Sequence, residues 1–402
     1  MKKRFNLLLV LILCLSCDFY AQSNDNYNES KRFQESGITH FNNGDYRLAI
    51  NDFSQAIRLN PNDDMAYYYR ARSHQDMNNH QLAIDDLTQV IRLNPNDEFA
   101  YIRRGLILKD MNNHHLAIDD FTQAIRLNPN DEFAYYFRGW SHQDLNNYLL
   151  AIDDFTQVIR INPNNESAYF QRGLSHRFMN NHRLAIDDFS QVIRLNPNDS
   201  KAYYFRGSSH QDLNNHRIAI DDFTQAIRVN PNDEAAYIGR GYSYLIMNNN
   251  LQAIDDFSQA IRLNPNLSFV YFQRGRAHQD MSNHQRAIED FTYSIRLNPN
   301  NELAYIFRGI SHSIVNNHGL AIDDYTQAIR INPNSSEAYF ERGNKNQDLN
   351  NHGLAIEDYT QAIRINPNFS SAYHNRAISH RAMGNYGLAD QDSRRVRQID
   401  SR

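Results

Sequence analysis

The amino-acid sequence predicts an all-α protein, an α-solenoid of antiparallel helix pairs that follows an N-terminal export signal. A string close to residues 151–164, AIDDFTQVIRINPN, recurs along the chain with apolar residues at helical spacing. The only ten prolines lie 34 residues apart, and a period of this size is typical of stacked repeats. These prolines are Pro61, Pro95, Pro129, Pro163, Pro197, Pro231, Pro265, Pro299, Pro333 and Pro367.

The composition is that of a folded and acidic chain. Of 402 residues, 41% are hydrophobic and 22% are charged, which is sufficient to build an apolar core. The formal net charge is −5, and a leader that ends before Asp18 removes Lys2, Lys3 and Arg4 and changes it to −8 (−5 − 3). An acidic chain without a basic block argues against nucleic acid as a partner.

Residues 1–21 have the pattern of an export signal. A basic start is followed by the apolar run Leu7–Leu15 and then by polar residues, and the run is too short to span a bilayer. The sequence therefore indicates an exported bacterial protein that is periplasmic, secreted or anchored to a membrane. Residues 22–29 are polar and are expected to be a short disordered linker.

Two ways of processing this signal remain open. Cleavage after Ala21 would release a soluble protein, although Phe19 is bulky for a cleavage site. Alternatively, Ser16-Cys17 resembles the end of a bacterial lipoprotein signal, in which Cys17 is lipidated, although Cys14 stands where leucine is usual. Cys14 and Cys17 are the only cysteines, so the repeats contain no disulfide and no thiolate metal site.

Each repeat is predicted to contain two helices. In the fourth repeat these are residues 132–145 and 149–161. Gly139 and Ala151 are small enough for the helices to approach closely, and Tyr135 is expected to face Phe155. No single pair buries its apolar face, so the pairs must stack. The eleven repeats are expected at 30–63, 64–97, 98–131, 132–165, 166–199, 200–233, 234–267, 268–301, 302–335, 336–369 and 370–402.

A tight turn is predicted between the two helices of each repeat. Asn146 is suited to the left-handed conformation that ends a helix, and Gly44 and Gly384 occupy the same place in the first and last repeats. Ser282 departs from this pattern. Each second helix must end before its proline, because proline cannot continue a helix and disfavours helical geometry at the preceding residue.

This pattern resembles the tetratricopeptide repeat over residues 30–402. The residues that carry the resemblance in the fourth repeat are Tyr135, Arg138, Gly139, His142, Ala151, Phe155 and Pro163. The resemblance implies a right-handed superhelix that has its first helices on the concave side and takes part in protein–protein interaction. Tyr135, Arg138 and His142 replace the Trp, Leu and Tyr that are usual in the family, so a more polar contact between helices is expected.

An arginine equivalent to Arg138 recurs in nearly every repeat, and we expect a structural role for it. Each repeat also supplies acids at Asp153 and Asp154 or their equivalents, and a buried arginine without an acid would be costly. The alternative is a ladder of arginines that binds anions. The equivalents are Arg70, Arg104, Arg172, Arg206, Arg240, Arg274, Arg308, Arg342 and Arg376.

Histidine pairs six residues apart flank many of the turns and invite a zinc or copper hypothesis. We instead expect packing residues, because two ligands per repeat are few for a metal site. No catalytic set of residues and no phosphate-binding loop is present, so we expect no enzyme activity, no cofactor and no metal. The pairs are His74/His80, His176/His182, His210/His216, His278/His284 and His312/His318.

The predicted binding surface is an aromatic stripe on the first helices. Phe133, Tyr136, Trp140, Gln143 and Asp144 share one helix face, and exposed aromatic residues in a groove favour peptide ligands. The alternative is that the rings pack between adjacent first helices. The equivalent residues are Tyr68, Gln75, Asp76, Tyr204, Gln211, Asp212, Phe272, Gln279, Asp280, Phe340, Gln347 and Asp348.

The Gln-Asp pair of this stripe returns every 68 residues, in even-numbered repeats only. The alternation reflects either ancestry by duplication or a ligand with its own period, and we favour ancestry.

In the last repeat, Asp390, Ser393 and Arg397 make the second helix polar, which is typical of a cap and favours a monomer.

On the strength of this resemblance, we expect a non-enzymatic exported scaffold that binds a protein or peptide in its concave groove. Two alternatives remain: an envelope protein that binds glycans or nutrients, and a lipoprotein that assembles cell-envelope machinery. The membrane is a partner only through an anchor on Cys17.

Overall fold

The computed structural model describes residues 25–401, which form 22 helices and contain no strand. Odd-numbered helices are the first helices of the repeats and even-numbered helices are the second. Helix α1 covers residues 25–42, and it is followed by α2 Tyr46–Leu59, α3 Asp64–Asp76, α4 His80–Leu93, α5 Glu98–Asp110, α6 His114–Leu127, α7 Glu132–Asp144, α8 Tyr148–Ile161, α9 Glu166–Phe178, α10 His182–Leu195, α11 Ser200–Asp212, α12 His216–Val229, α13 Glu234–Ile246, α14 Asn250–Leu263, α15 Ser268–Asp280, α16 His284–Leu297, α17 Glu302–Ile314, α18 His318–Ile331, α19 Ser336–Asp348, α20 His352–Ile365, α21 Ser370–Ala382 and α22 Tyr386–Asp400. The predicted all-α fold of tandem helix pairs is confirmed.

The N-terminal helix begins earlier than expected. Helix α1 starts at residue 25, so residues 25–29 of the expected linker are helical. The buried hydroxyl of Ser30 donates to the carbonyl oxygen of Ala56 (3.0 Å) and ties this part of α1 to α2. The predicted export signal and Cys17 lie outside the described residues. Over residues 25–401, no helix combines the length and the apolar character needed to cross a membrane.

The chain divides into two compact units, with the boundary in the sequence between Asn196 and Pro197. Helices α1–α10 belong to the first unit and α11–α22 to the second. Within each unit, a first helix packs against the second helix of its own repeat and against the second helix of the preceding repeat. First helices also contact the next first helix, as α13 contacts α15 and α15 contacts α17. We call the exposed side of these helices the first-helix face.

Local sequence sets where the helices begin and end. The side chain of Asp131 accepts hydrogen bonds from the amides of Phe133 and Ala134 and caps α7, and an Asp, Asn or Ser does the same at most first helices. Second helices end at an asparagine before proline. Asn162 is extended there (φ −129°), because Pro163 excludes helical geometry at the residue before it.

The turn inside each repeat has the predicted left-handed residue. Asn146 has φ 60°, and the following amide of Asn147 donates to the carbonyl oxygen of His142 (2.8 Å). Gly44 and Gly384 have φ 81° and 77° at the equivalent places. Ser282 adopts the same conformation (φ 59°), so the serine turn is as tight as the others and carries the strain of a left-handed residue without glycine.

A phenylalanine from the second helix fills the core of most repeats. The ring of Phe155 is fully buried, and a Cβ added to Gly139 would lie 3.0 Å from it. Glycine is therefore required by the close approach of α7 to α8. The sequence predicted that Tyr135 faces Phe155. In the structure the ring that contacts Phe155 is instead that of Tyr136, with the centroids 5.7 Å apart. Tyr135 lies instead under the guanidinium of Arg138, 5.5 Å from its carbon.

The repeated arginine makes the structural ion pair that the sequence predicts. Arg138 donates through Nε and Nη2 to both carboxylate oxygens of Asp154 (3.0 and 2.7 Å), and Nη1 donates to Thr122 in the preceding repeat (3.1 Å). Hydrogen bonding to the equivalent aspartate raises the pKa of Arg104. The pair recurs at all ten arginines, and the aspartate side chains are only 5–8% exposed.

We expect the substitution Arg206→Met to destabilise the second unit, because it leaves the buried carboxylate of Asp222 unpaired. The pair has Nη2–Oδ1 and Nε–Oδ2 distances of 2.6 and 3.0 Å. The free energy of unfolding, measured by chemical denaturation, should fall by about 2–4 kcal/mol. The double substitution Arg206→Met/Asp222→Leu is the control and should recover most of the loss. Unchanged stability of the single variant would instead indicate an exposed arginine that is free to bind anions.

Candidate functional site

Most of the aromatic residues predicted for the groove pack between helices. Tyr68, Tyr136, Tyr204 and Phe340 are half-buried and Phe272 is buried. These five rings are therefore not openly exposed and contact neighbouring rings, and their part in binding stays a prediction. Their ring contacts are Tyr68 with Tyr69, Tyr136 with Phe137 and Phe155, Tyr204 with Phe205 and Phe223, Phe272 with Phe291 and Phe307, and Phe340 with Tyr359 and Phe369.

Burial also affects the hydroxyl group of Tyr136. Burial raises the pKa of Tyr136, while hydrogen bonds to Gln171 and Ser167 act in the opposite direction. Both partners belong to the next first helix, α9. The hydroxyl therefore joins successive repeats and is committed to the packing of the unit.

The glutamines of the 68-residue pattern hold successive first helices together. The Nε2 of Gln143 donates to the carbonyl oxygen of Gln171 (3.3 Å) and to the hydroxyl of Ser175 (3.1 Å). Gln211 and Gln279 make the same two bonds in the second unit. Gln347 accepts from the hydroxyl of Ser379 (3.2 Å). In these pairs an even repeat supplies the glutamine and the next odd repeat the serine, so the glutamine links two successive first helices.

Gln75 differs from the other glutamines because the next repeat has Ile107 in place of the serine. Its Oε1 accepts from Nη1 of Arg103 (3.3 Å), and Arg103 also donates to the hydroxyl of Tyr68 (3.2 Å). The contact still links two first helices, so Gln75 too has a packing role.

The aspartates of the pattern stay on the surface. Asp76, Asp144, Asp212, Asp280 and Asp348 are all exposed at the ends of their first helices. The carboxylate of Asp144 lies 3.6 Å from Nδ1 of His114, and that of Asp348 lies 2.9 Å from Nζ of Lys345. The aspartates give the first-helix face an acidic character at this edge.

Apolar residues are exposed at the second position of several first helices. The sequence indicated only one of them, Phe133. Met65, Phe99 and Phe133 occupy the second residue of α3, α5 and α7, and their exposures are 47%, 67% and 61%. We call these three residues the apolar patch. The sequence did not indicate Met65 and Phe99, because the residue at this position varies from repeat to repeat. Phe269 and Leu303 are exposed at the same position in the second unit.

Trp140 is half-buried, and its ring has two close neighbours. Phe137 stacks on it with an interplanar angle of 12° and a centroid separation of 6.3 Å. The ammonium of Lys109 lies 4.0 Å from the centroid of the tryptophan ring, at a cation–π distance. Trp140 therefore belongs to the surface but serves mainly to fix Lys109 and Phe137.

The histidines near the turns are packing residues with perturbed titration. Burial lowers the pKa of His142, His176 and His210 and of their equivalents His74, His278, His312 and His380. The Nδ1 atoms of His74, His142 and His210 have no hydrogen-bond partner among the described residues. Within residues 25–401, no three His, Cys, Asp or Glu residues group as a metal site would require.

Models of one family match nearly the whole repeat region. Five family models, each described as the tetratricopeptide repeat, match residues 35–98, 99–131, 132–165, 166–199, 206–268, 272–336, 336–369 and 358–391. No functionally curated protein matches the chain.

Several solved structures are similar to this chain at low sequence identity. The C-terminal part of a TPR repeat-containing protein from Cytophaga hutchinsonii is 18% identical, and the match covers 60% of this chain and 98% of that one with a TM-score of 0.51. A tetratricopeptide repeat protein from Parabacteroides merdae is 19% identical, with coverages of 62% and 98% and a TM-score of 0.46. Yeast Tom70 is 15% identical, with coverages of 92% and 92% and a TM-score of 0.40. At these identities the likeness concerns the fold alone.

Because burial lowers the pKa of these histidines, we expect the folded protein to be less stable at acid pH. The folded state binds protons less readily than the unfolded chain, whose histidines keep a pKa near 6.5. The contribution of these histidines to the free energy of unfolding is therefore fully present above pH 6.5. It is lost as the pH falls from 6.5 toward the lower pKa of the folded state. Chemical denaturation at pH 7.5 and 5.5 measures this. His210→Tyr, which copies Tyr244 of the next repeat, should reduce the difference, and an unchanged difference would contradict a contribution from His210.

Proposed function

The chain belongs to the tetratricopeptide repeat family, and we propose that it is a non-enzymatic scaffold that binds a protein or peptide on its first-helix face. The observation that carries the proposal is the apolar patch of Met65, Phe99 and Phe133. Large apolar residues are exposed there at one helix position in three successive repeats, and exposed apolar patches mark interaction sites.

The position of the patch suits an extended ligand. Phe99 and Phe133 lie on α5 and α7, which contact each other, so a bound segment could reach both rings. Aromatic anchors supply much of the binding energy in protein interfaces, since they bury a large area for few rotatable bonds. Asp110 and Asp144 are exposed at the other ends of the same helices and add polar contacts that fix orientation.

A glycan or nutrient ligand is a weaker candidate. Sugars stack on open aromatic faces, but Phe137 and Lys109 lie against the ring of Trp140. Tyr136 and its equivalents, which the sequence suggested as further platforms, are committed to packing. The aromatic residues that remain exposed, such as Phe99 and Phe133, suit the apolar side chains of a protein segment better than they suit a hydroxylated ligand.

The binding proposal is tested by selecting peptides from a random displayed library on the full chain and measuring their affinities for variants. We expect Phe99→Ser and Phe133→Ser each to weaken binding about tenfold or more, as loss of an interface anchor does. Serine occupies this position naturally at Ser167 and Ser371, so folding should be preserved. Leu149→Ser is the matched control, since Leu149 is 66% exposed on a second helix. An equal loss in the control, or none in the phenylalanine variants, would contradict the proposal.

We propose further that the protein acts after export. The basic start, the apolar run and Cys17 at the end of the leader support this, and an anchor on Cys17 would suit a role in assembling envelope machinery. Intact mass measurement of the protein from its source should give a chain that begins at an acylated Cys17 or at Gln22. A mature protein that retains Lys2 and Lys3 would contradict export.

A further inference from the structure

Repeat 8 carries an aromatic ring at a position where most other repeats carry glutamine. This residue, Tyr293, lies on α16 and is 43% exposed. Its ring stacks on that of Tyr271, with the centroids 5.3 Å apart and an interplanar angle of 16°. The guanidinium carbon of Arg296 lies 4.4 Å from the centroid of the Tyr293 ring. The ring of Tyr293 is therefore in contact with both a tyrosine and an arginine.

The equivalent place in repeat 9 is a cavity. The residues that stand there in place of the two tyrosines and the arginine are Tyr305, Gln327 and Arg330. They line a cavity of about 610 Å³, whose other lining residues are Pro299, Asn300 and Ile331. Cavities that bind ligands commonly have volumes of about 300–1,000 Å³. Repeat 9 therefore has an open space where repeat 8 has its own aromatic ring.

Arg330 has no partner among the described residues. It is exposed, and within residues 25–401 it makes no hydrogen bond, ion pair or ring contact. Some arginines at this position in the second unit do have a partner. Arg228 donates through Nε to Oε1 of Gln225 (2.9 Å), and Arg296 lies over the ring of Tyr293. The guanidinium of Arg330 is therefore available to a ligand in the cavity.

Tyr305 keeps part of its surface uncovered. Tyr271, on which Tyr293 stacks, is only 8% exposed, whereas Tyr305 is half-buried. The guanidinium carbon of Arg308 lies 5.5 Å from the centroid of the Tyr305 ring, and that of Arg274 lies 5.7 Å from the Tyr271 ring. Because Tyr271 stacks on another ring while it is in contact with its arginine, Tyr305 can do the same.

We propose that this cavity binds an aromatic side chain of a partner protein, a tyrosine ring that stacks on Tyr305 and lies against the guanidinium of Arg330. Charge complementarity favours such a ligand, because the electron-rich face of an aromatic ring attracts a guanidinium. The stacking of two rings adds to this attraction. The place of Tyr293 in repeat 8 shows that the scaffold accommodates a tyrosine ring here. The site lies in the second unit and is independent of the apolar patch, which belongs to the first.

An anionic ligand suits the cavity less well than a neutral ring. Of the residues that line the cavity, Arg330 alone is charged. Glu302 lies three residues before Tyr305 on α17, on the same side of the helix. Its Oε2 accepts a hydrogen bond from Nδ2 of Asn332 (2.8 Å), the residue after Ile331. A carboxylate or phosphate would therefore be repelled by Glu302, whereas a neutral ring would not.

The test uses the full chain and a defined probe, Nα-acetyl-tyrosine N-methylamide, with its binding followed by ligand-observed NMR. The leucine analogue is apolar but has no ring, and it should bind at least about fivefold more weakly because stacking and the cation–π contact are lost. Gln327→Tyr copies Tyr293 and fills the cavity, so it should weaken the tyrosine probe about tenfold or more. Arg330→Met removes only the cation and should weaken it about threefold.

Gln225→Tyr is the matched control. It places the same ring in repeat 6 of the same unit, where the tyrosine equivalent to Tyr305 is Tyr203, which is only 9% exposed. The affinity for the tyrosine probe should therefore stay unchanged. Thermal denaturation checks folding. Gln327→Tyr should be at least as stable as the wild type, since repeat 8 accommodates the same ring, and Arg330→Met should leave the melting temperature unchanged because the side chain is exposed and without a partner in residues 25–401.

A second experiment asks whether the ring belongs to a protein or to a free aromatic molecule. Peptides are selected from a random displayed library on the wild type and counter-selected on Gln327→Tyr. The peptides that remain should share an aromatic residue, and its replacement by alanine should abolish their binding. Binding of the tyrosine probe without any such peptide would overturn the assignment to a partner protein and indicate a free aromatic ligand.

Four results would overturn the site itself: no binding of the tyrosine probe to the wild type, equal affinity for the tyrosine and leucine probes, unchanged affinity in Gln327→Tyr, or an equal loss in Gln225→Tyr. The outcome is separable from that of the proposed function, because Phe99→Ser and Phe133→Ser alter the first unit and leave the cavity intact. Probe binding that disappears in Gln327→Tyr and persists in Phe99→Ser supports this site, whatever the test of the apolar patch shows.

Discussion

The bidentate pair between the repeated arginine and a buried aspartate is the interaction on which the scaffold depends. Arg138 joins three helices, because it projects from α7, binds Asp154 of α8 and donates to Thr122 of α6. A buried carboxylate is tolerated only when both of its oxygens accept hydrogen bonds. The pair therefore fixes the distance between the two helices and stabilises their contact. Repeated along each unit, it allows the core phenylalanine to lie against glycine at van der Waals contact.

A scaffold held this firmly limits where binding chemistry can appear. The aromatic rings and glutamines of the first helices fill the spaces between repeats, so their side chains are part of the packing. On most first helices, the residues that stay exposed are the second and the last. At the start the chain places Met65, Phe99 and Phe133, and at the end it places aspartates such as Asp144. The surface available to a partner is therefore narrower than the number of aromatic residues suggests.

The ninth and tenth repeats carry tyrosine where most repeats carry the core phenylalanine. Phenylalanine and tyrosine have nearly the same shape, so the ring packs against Gly309 or Gly343 in either case. The hydroxyl of Tyr359 donates to Asn344, which belongs to the first helix of the same repeat.

The sequence by itself determined the fold of this protein. The core glycines, the prolines and the left-handed turn residues are local constraints, and each recurs at a constant spacing of 34 residues. It also identified the Arg–Asp pair, since a buried arginine requires an acid. It could not assign Tyr136 or Gln143 to packing, because a residue on the first-helix face is exposed or buried according to what the next repeat places against it. Ser175 captures Gln143, whereas nothing covers Phe133. Contacts between repeats are properties of the stack, and only the tertiary structure decided them.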